Sequence, residues 1–155
     1  MDCGAEISEC GLYRYALWRV WEPSRPRVLF IGVNPATADA SNDDPTLRRC
    51  MGFAANWGFG GVVMANLFAF RATSSRMLKQ VADPVGPQND YWPDRLRSEV
   101  ERAVAAWGNH GRLFGRAAEV SLQLRGLECL GCTIKGAPKH PLYVSSTTTL
   151  QTWTA

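Results

Sequence analysis

Apolar and polar residues alternate along LYRYALWRVW (12–21), the period of two that marks a half-buried strand. The pattern then changes. VLFIGV (28–33) is almost continuously apolar, as expected of a parallel strand covered on both faces. GVVMANLFAF (61–70), AVAAWG (103–108) and LECLG (127–131) repeat that theme, which predicts core strands at 28–33, 62–66, 103–107 and 127–130. DPTLRRCMGFAANWG (44–58) reads as a helix with Asp44 as its cap, Pro45 as its first residue and an end near Gly58. RATSSRMLKQ suggests a loop and a short helix, a further helix is expected over 94–102, and RLFGRAAEVSLQLRG (112–126) reads as a helix closed by Gly126. The prolines of EPSRPR and DPVGPQND mark turns, and CTIKGAPKHPLYV (132–144) is a loop. Strands alternating with helices argue for one α/β domain built on a parallel sheet.

In such a sheet, ligands bind beyond the carboxyl ends of the strands. The first core strand delivers Asn34-Pro35 there, and the second delivers Asn66, Phe68 and Arg71. The third delivers Trp107-Gly108-Asn109-His110, and the fourth is followed by Lys139-His140-Pro141-Leu142-Tyr143. Each cluster alone also suits a turn or a packing role, since Asn and Pro are common turn residues. Their coincidence at one edge predicts that Asn34, Asn66 and His140 converge on one cleft.

Composition narrows the field only slightly. At 155 residues, 46% hydrophobic and 20% charged, the chain is long enough for one well-filled domain. Its net charge of +3 permits an anionic partner without requiring one. No run is long and apolar enough for a membrane span, and MDCGAEISEC has no secretory pattern, so a cytoplasmic location is expected. Five cysteines are an odd number, which favours free thiols. Cys129 and Cys132 form a C-x-x-C with no second ligand pair at usable spacing, so neither metal nor other cofactor is expected.

The segments NPATADASNDDPTLRRC, WGFGGVVMANLFAFRAT, DPVGPQND, AAWGNHG and KHPLY, with Tyr13 to Trp21 ahead of them, resemble a bacterial and phage family, domain of unknown function 1643. A more distant resemblance is to the uracil-DNA glycosylase superfamily. It rests on Gly32-Val33-Asn34-Pro35 after the first core strand, Asn66 at the end of the second, Trp107-Gly108 after the third and His140-Pro141-Leu142 near the end. That resemblance implies a three-layer α/β sandwich with a central, mainly parallel four-stranded sheet and an extra N-terminal strand.

It also implies a chemistry: hydrolysis of the bond between a deaminated or modified base and deoxyribose. Asn34 would position water, Asn66 would read the base edge, and His140 would stabilise the departing base. Gly32, Pro35, Phe68 and Arg71 would complete the substrate pocket, and Leu142 would push into an opened duplex. Phe53 or Phe68 would stack on the base. An amide at position 34 departs from the carboxylate of other branches, so Asn34→Asp is expected to restore a base near the water. Ala36-Thr37-Ala38 lack the aromatic wall of the uracil-specific branch. The partner is then DNA, read through a basic face drawn from Arg14, Arg19, Arg27, Lys135 and Lys139. Two alternatives remain: a binding module that has lost cleavage, or a hydrolase of free nucleotides whose phosphates are held by Arg48, Arg49 and Arg71.

Overall fold

A computed structural model describes residues 1–154. The strands are β1 (Asp2–Ile7), β2 (Arg14–Val20), β3 (Arg27–Gly32), β4 (Gly61–Asn66), β5 (Arg102–Ala105), β6 (Leu127–Cys129) and β7 (Gln151–Thr152). The α-helices are α1 (Pro45–Asn56), α2 (Tyr91–Ser98) and α3 (Arg116–Gln123). All seven strands form one sheet in the order β1-β2-β4-β3-β5-β6-β7. The four core strands expected from the apolar runs are its parallel centre: β3 pairs with β4 and with β5, and β5 with β6.

The sheet is nonetheless larger than the four strands expected. β2 is the anticipated N-terminal addition, whereas β1 and β7 carry too few apolar residues to register as strands. Both join by antiparallel pairing at the edges. Their presence changes β2 as well. Flanked by β1 and β4, it is buried at six of its seven residues rather than on alternate ones.

Alternation along the central strands divides the core between the two faces. Val28 and Phe30 of β3, with Val62 and Met64 of β4, pack against Leu47, Cys50, Phe53 and Ala54 of α1. Leu29 and Ile31, with Val63 and Ala65, pack instead with Leu96 of α2, Val120 of α3 and Leu124 just beyond it. Helix α1 starts as its sequence dictates, with Asp44 as cap and Pro45 in the first turn.

Helix α2 stops earlier than expected. Arg102 belongs to β5, where its guanidinium meets Glu128 of β6 at 2.6 Å, a cross-strand pair unavailable to a helical residue. Helix α3 likewise begins only at Arg116. Residues 109–115 form a 3₁₀ segment broken at Leu113 and Phe114, and buried Arg116 fixes the start of α3 by donating to the Leu67 carbonyl at 2.8 Å.

Candidate functional site

The carboxyl ends of the parallel strands open, on the α1 side, into a cleft of about 660 Å³. Asn34, Asn66 and His140 all line it, as do Gly32 and Leu142. Sequence order brings them together through topology: β4, β3 and β5 are adjacent, and the loop after β6 returns across their ends.

Asn34 is held by its own loop. Its Nδ2 donates to the carbonyls of Pro35 at 3.1 Å and Ala72 at 2.9 Å. Two carbonyl partners demand the NH₂ group, so the amide orientation is fixed and Oδ1 is left as an acceptor. Asn66 ends β4 and is buried, and its Nδ2 has no hydrogen-bond partner among the described residues. Gly32 makes room for it, since a Cβ there would lie 2.9 Å from Asn66 Oδ1.

The loop carrying His140 is anchored to the end of β5. Gly108 donates its N–H to the Pro138 carbonyl at 2.8 Å, and Thr133 Oγ1 donates to Asn109 Oδ1 at 2.7 Å. Gly108 has φ 65° and ψ −164°, a conformation that only glycine adopts without strain. His140 Nδ1 accepts the N–H of Leu142 at 3.2 Å. A ring nitrogen accepting a backbone N–H is unprotonated, so the proton of neutral imidazole sits on Nε2. Burial pushes His140 below its ordinary value and outweighs the opposing pull of Asp44, which favours this neutral form.

Other expected site residues lie elsewhere. Pro35 is buried behind the cleft, its carbonyl engaged by Asn34 and by the N–H of Ala72. Phe68 is fully buried and packs edge-on against Phe114, away from the cleft. Phe53 is buried against Trp57. Neither phenylalanine faces the cleft; Tyr143 does, whereas Trp107 reaches the lining with its ring buried in the core. Trp153, beside β7, packs perpendicular to Trp107 at 6.3 Å and fixes that ring from behind.

The arginines also redistribute. Arg71 bonds the Gly11 carbonyl, outside the cleft. Arg49 donates to the carbonyls of Pro141 and Val144, so it positions the 141–143 turn. Arg48 is exposed at a separate, shallower depression. The three therefore form no common phosphate site in the cleft. Arg27 opens β3 at the opposite end of the sheet from the cleft. Arg19 is buried and holds the 39–43 loop through Asp43 and the carbonyls of Asp39 and Asn42. Of the expected basic face, Lys139 lines the cleft and exposed Lys135 stands beside its lining residue Ile134.

Two cleft residues were legible only as something else. Asp44 was readable as a helix cap, which it is, with Oδ1 accepting from Leu47 N at 2.8 Å; it also faces the cleft. Arg14 looked like a surface cation and is instead a buried residue of the cleft wall. All five cysteines are free thiols, with Cys129 buried and Cys132 exposed at the cleft.

Fold and site together define an α/β domain with a polar cleft at the carboxyl edge of a parallel sheet. The family model "Protein of unknown function (DUF1643)" matches residues 14–142, and the chain belongs to that family. No curated protein and no solved structure matches it. Among the described residues, no helix is long and apolar enough to cross a membrane.

Proposed function

We propose that this protein is a base-excising N-glycosylase acting on DNA, with the fold of the uracil-DNA glycosylase superfamily. One observation carries the reading: Asn34, Asn66 and His140 share one cleft, each with an unused polar atom of the kind the reaction needs. Breaking the C1′–N bond leaves positive charge on the sugar and negative charge on the base. Asn34 Oδ1, fixed by two donors on its own amide, accepts from a water and aims it at C1′. The electron pair of the breaking bond goes to the base, and the Nε2–H of His140 meets the oxygen where that charge collects.

Water supplies the hydroxyl to C1′, and its remaining proton leaves with the base, so an abasic sugar and a free base result. Asn66 offers an amide to the base edge, and Tyr143 supplies the stacking surface. Leu142, 41% exposed on the rim, suits insertion into the gap left by an extruded nucleotide. Arg48, Arg49 and Arg71 lie outside the cleft and so do not supply the phosphate contacts expected of a free-nucleotide hydrolase.

The test is incubation with oligonucleotides bearing a panel of deaminated and modified bases, followed by mass spectrometry for released base. Free base together with an alkali-labile site from at least one substrate is expected. Binding without release across the whole panel would mean that the cleft only recognises its ligand.

A further inference from the structure

The wall of the cleft holds two buried polar side chains with unfinished hydrogen bonding. Arg14 is 3% exposed and Asn66 4%, yet Arg14 Nε and Asn66 Nδ2 have no partner among the described residues. Both residues line the cleft. A guanidinium carries only donors, so nothing but an acceptor satisfies it, and a buried charged donor left unpaired is unfavourable.

Arg14 reaches the cleft through a bulge. Ala16 pairs with Glu6 and Arg14 with the next residue, Ile7, so Tyr15 is one residue too many. The extra residue reverses the alternation of β2 and puts Arg14 on the same face as Leu17, which also lines the cleft. Nη1 is then clamped on the Ala38 carbonyl at 2.9 Å. Asp44, the carboxylate nearby, is occupied by the N–H groups of Leu47 and Ala38. Burial lowers Arg14 to about 10 against the opposing field of Asp44, so it stays cationic at neutral pH. The sheet order places Arg14 one strand beyond Asn66, on the side away from His140. Strand spacing of about 4.8 Å is close to the width of a base edge.

We propose that Arg14 is a specificity residue: with Asn66 it binds the lactam edge, N–H beside C=O, of an oxo base. The Asn66 amide pairs with that edge, and Arg14 Nε donates to the second lone pair of the same carbonyl. A base with an amino group there sets N–H against N–H and is rejected. Uracil, hypoxanthine and xanthine carry the accepted edge, as do thymine and guanine; cytosine and adenine do not. Inorganic phosphate, with acceptor oxygens and a P–O–H donor, would satisfy both side chains as well, and is therefore the competitor in the test. The inference rests on the nucleobase site proposed above.

The test is a calorimetric titration of the protein with inosine, adenosine, uridine and cytidine, repeated with inorganic phosphate present. The oxo nucleosides should bind at least about tenfold tighter than their amino counterparts, and phosphate should not displace them. Arg14→Met should weaken the oxo nucleosides about 10- to 100-fold and erase the preference. Asn66→Ala removes the amide that pairs with the lactam edge, so it should erase the preference as well. It decides the matter should Arg14→Met fail to fold.

Equal binding of both classes, absence of binding, unchanged preference in the variants, or displacement by phosphate would each overturn the proposal. Selective nucleoside binding without base release from any oligonucleotide would sink the hydrolysis alone. Base release indifferent to Arg14→Met would sink the role of Arg14 alone.

Discussion

Asn34 shows how far a single residue can be read from its neighbours in sequence. Its position after the first core strand was legible, because Gly-Val-Asn-Pro ends an apolar run abruptly. Its hydrogen bonding was not, since Ala72 lies 38 residues away. That contact reverses the expectation for Asn34→Asp. A carboxylate has no donor for the Pro35 and Ala72 carbonyls and would face both lone pairs. The substitution should therefore cost about 1–3 kcal/mol in chemical denaturation and give no gain in activity. His140 titrates in a predictable sense. Its folded value is depressed by burial, so the unfolded chain binds more protons between that value and the ordinary 6.5. Its contribution to stability is complete above 6.5 and is lost as pH falls through that window. Urea midpoints from about pH 8 down to about pH 5 should fall more steeply for the parent than for His140→Gln. Parallel curves would show that His140 is not buried in its neutral form.

At the scale of elements, the core strands and α1 were legible because each satisfies a local rule strongly. The strands are apolar runs of the right length, and α1 has both Asp44 and Pro45 where a helix should begin. The boundaries that failed were set by distant partners: Glu128 drew Arg102 into β5, and the Leu67 carbonyl fixed the start of α3 at Arg116. Phe68 was misplaced for a related reason. Position alone could not show that the chain beyond β4 turns its ring toward Phe114. Asp44 links an element to the cleft, since it caps α1, accepts the N–H of Ala38 and lines the site. Asp44→Ala orphans both N–H groups and should destabilise the protein by about 1–2 kcal/mol. Asp44→Asn retains capping and should recover most of that loss in thermal melts. A melting temperature for Asp44→Ala equal to the parent's would remove Asp44 from the framework of the cleft.

For the molecule as a whole, the convergence of four sequence clusters on one edge followed from parallel strand order, and it is present. The charge distribution did not follow, because burial of Arg14 and Arg19 depends on the 38–44 segment folding over β2. With those cations internal, few basic groups remain at the rim to release counterions. DNA affinity should thus fall with salt between about 50 and about 200 mM, but with a shallow slope, which fluorescence anisotropy would measure. The claim that organises the whole account is that the cleft stabilises a departing base through His140 and a positioned water through Asn34. Single-turnover base release on the best substrate of the panel, beside a binding titration on the same oligonucleotide, tests it most directly. His140→Ala and Asn34→Ala should each slow release, the former by about 10²–10³, while affinity changes far less. Release at the parent rate in both variants would contradict the account.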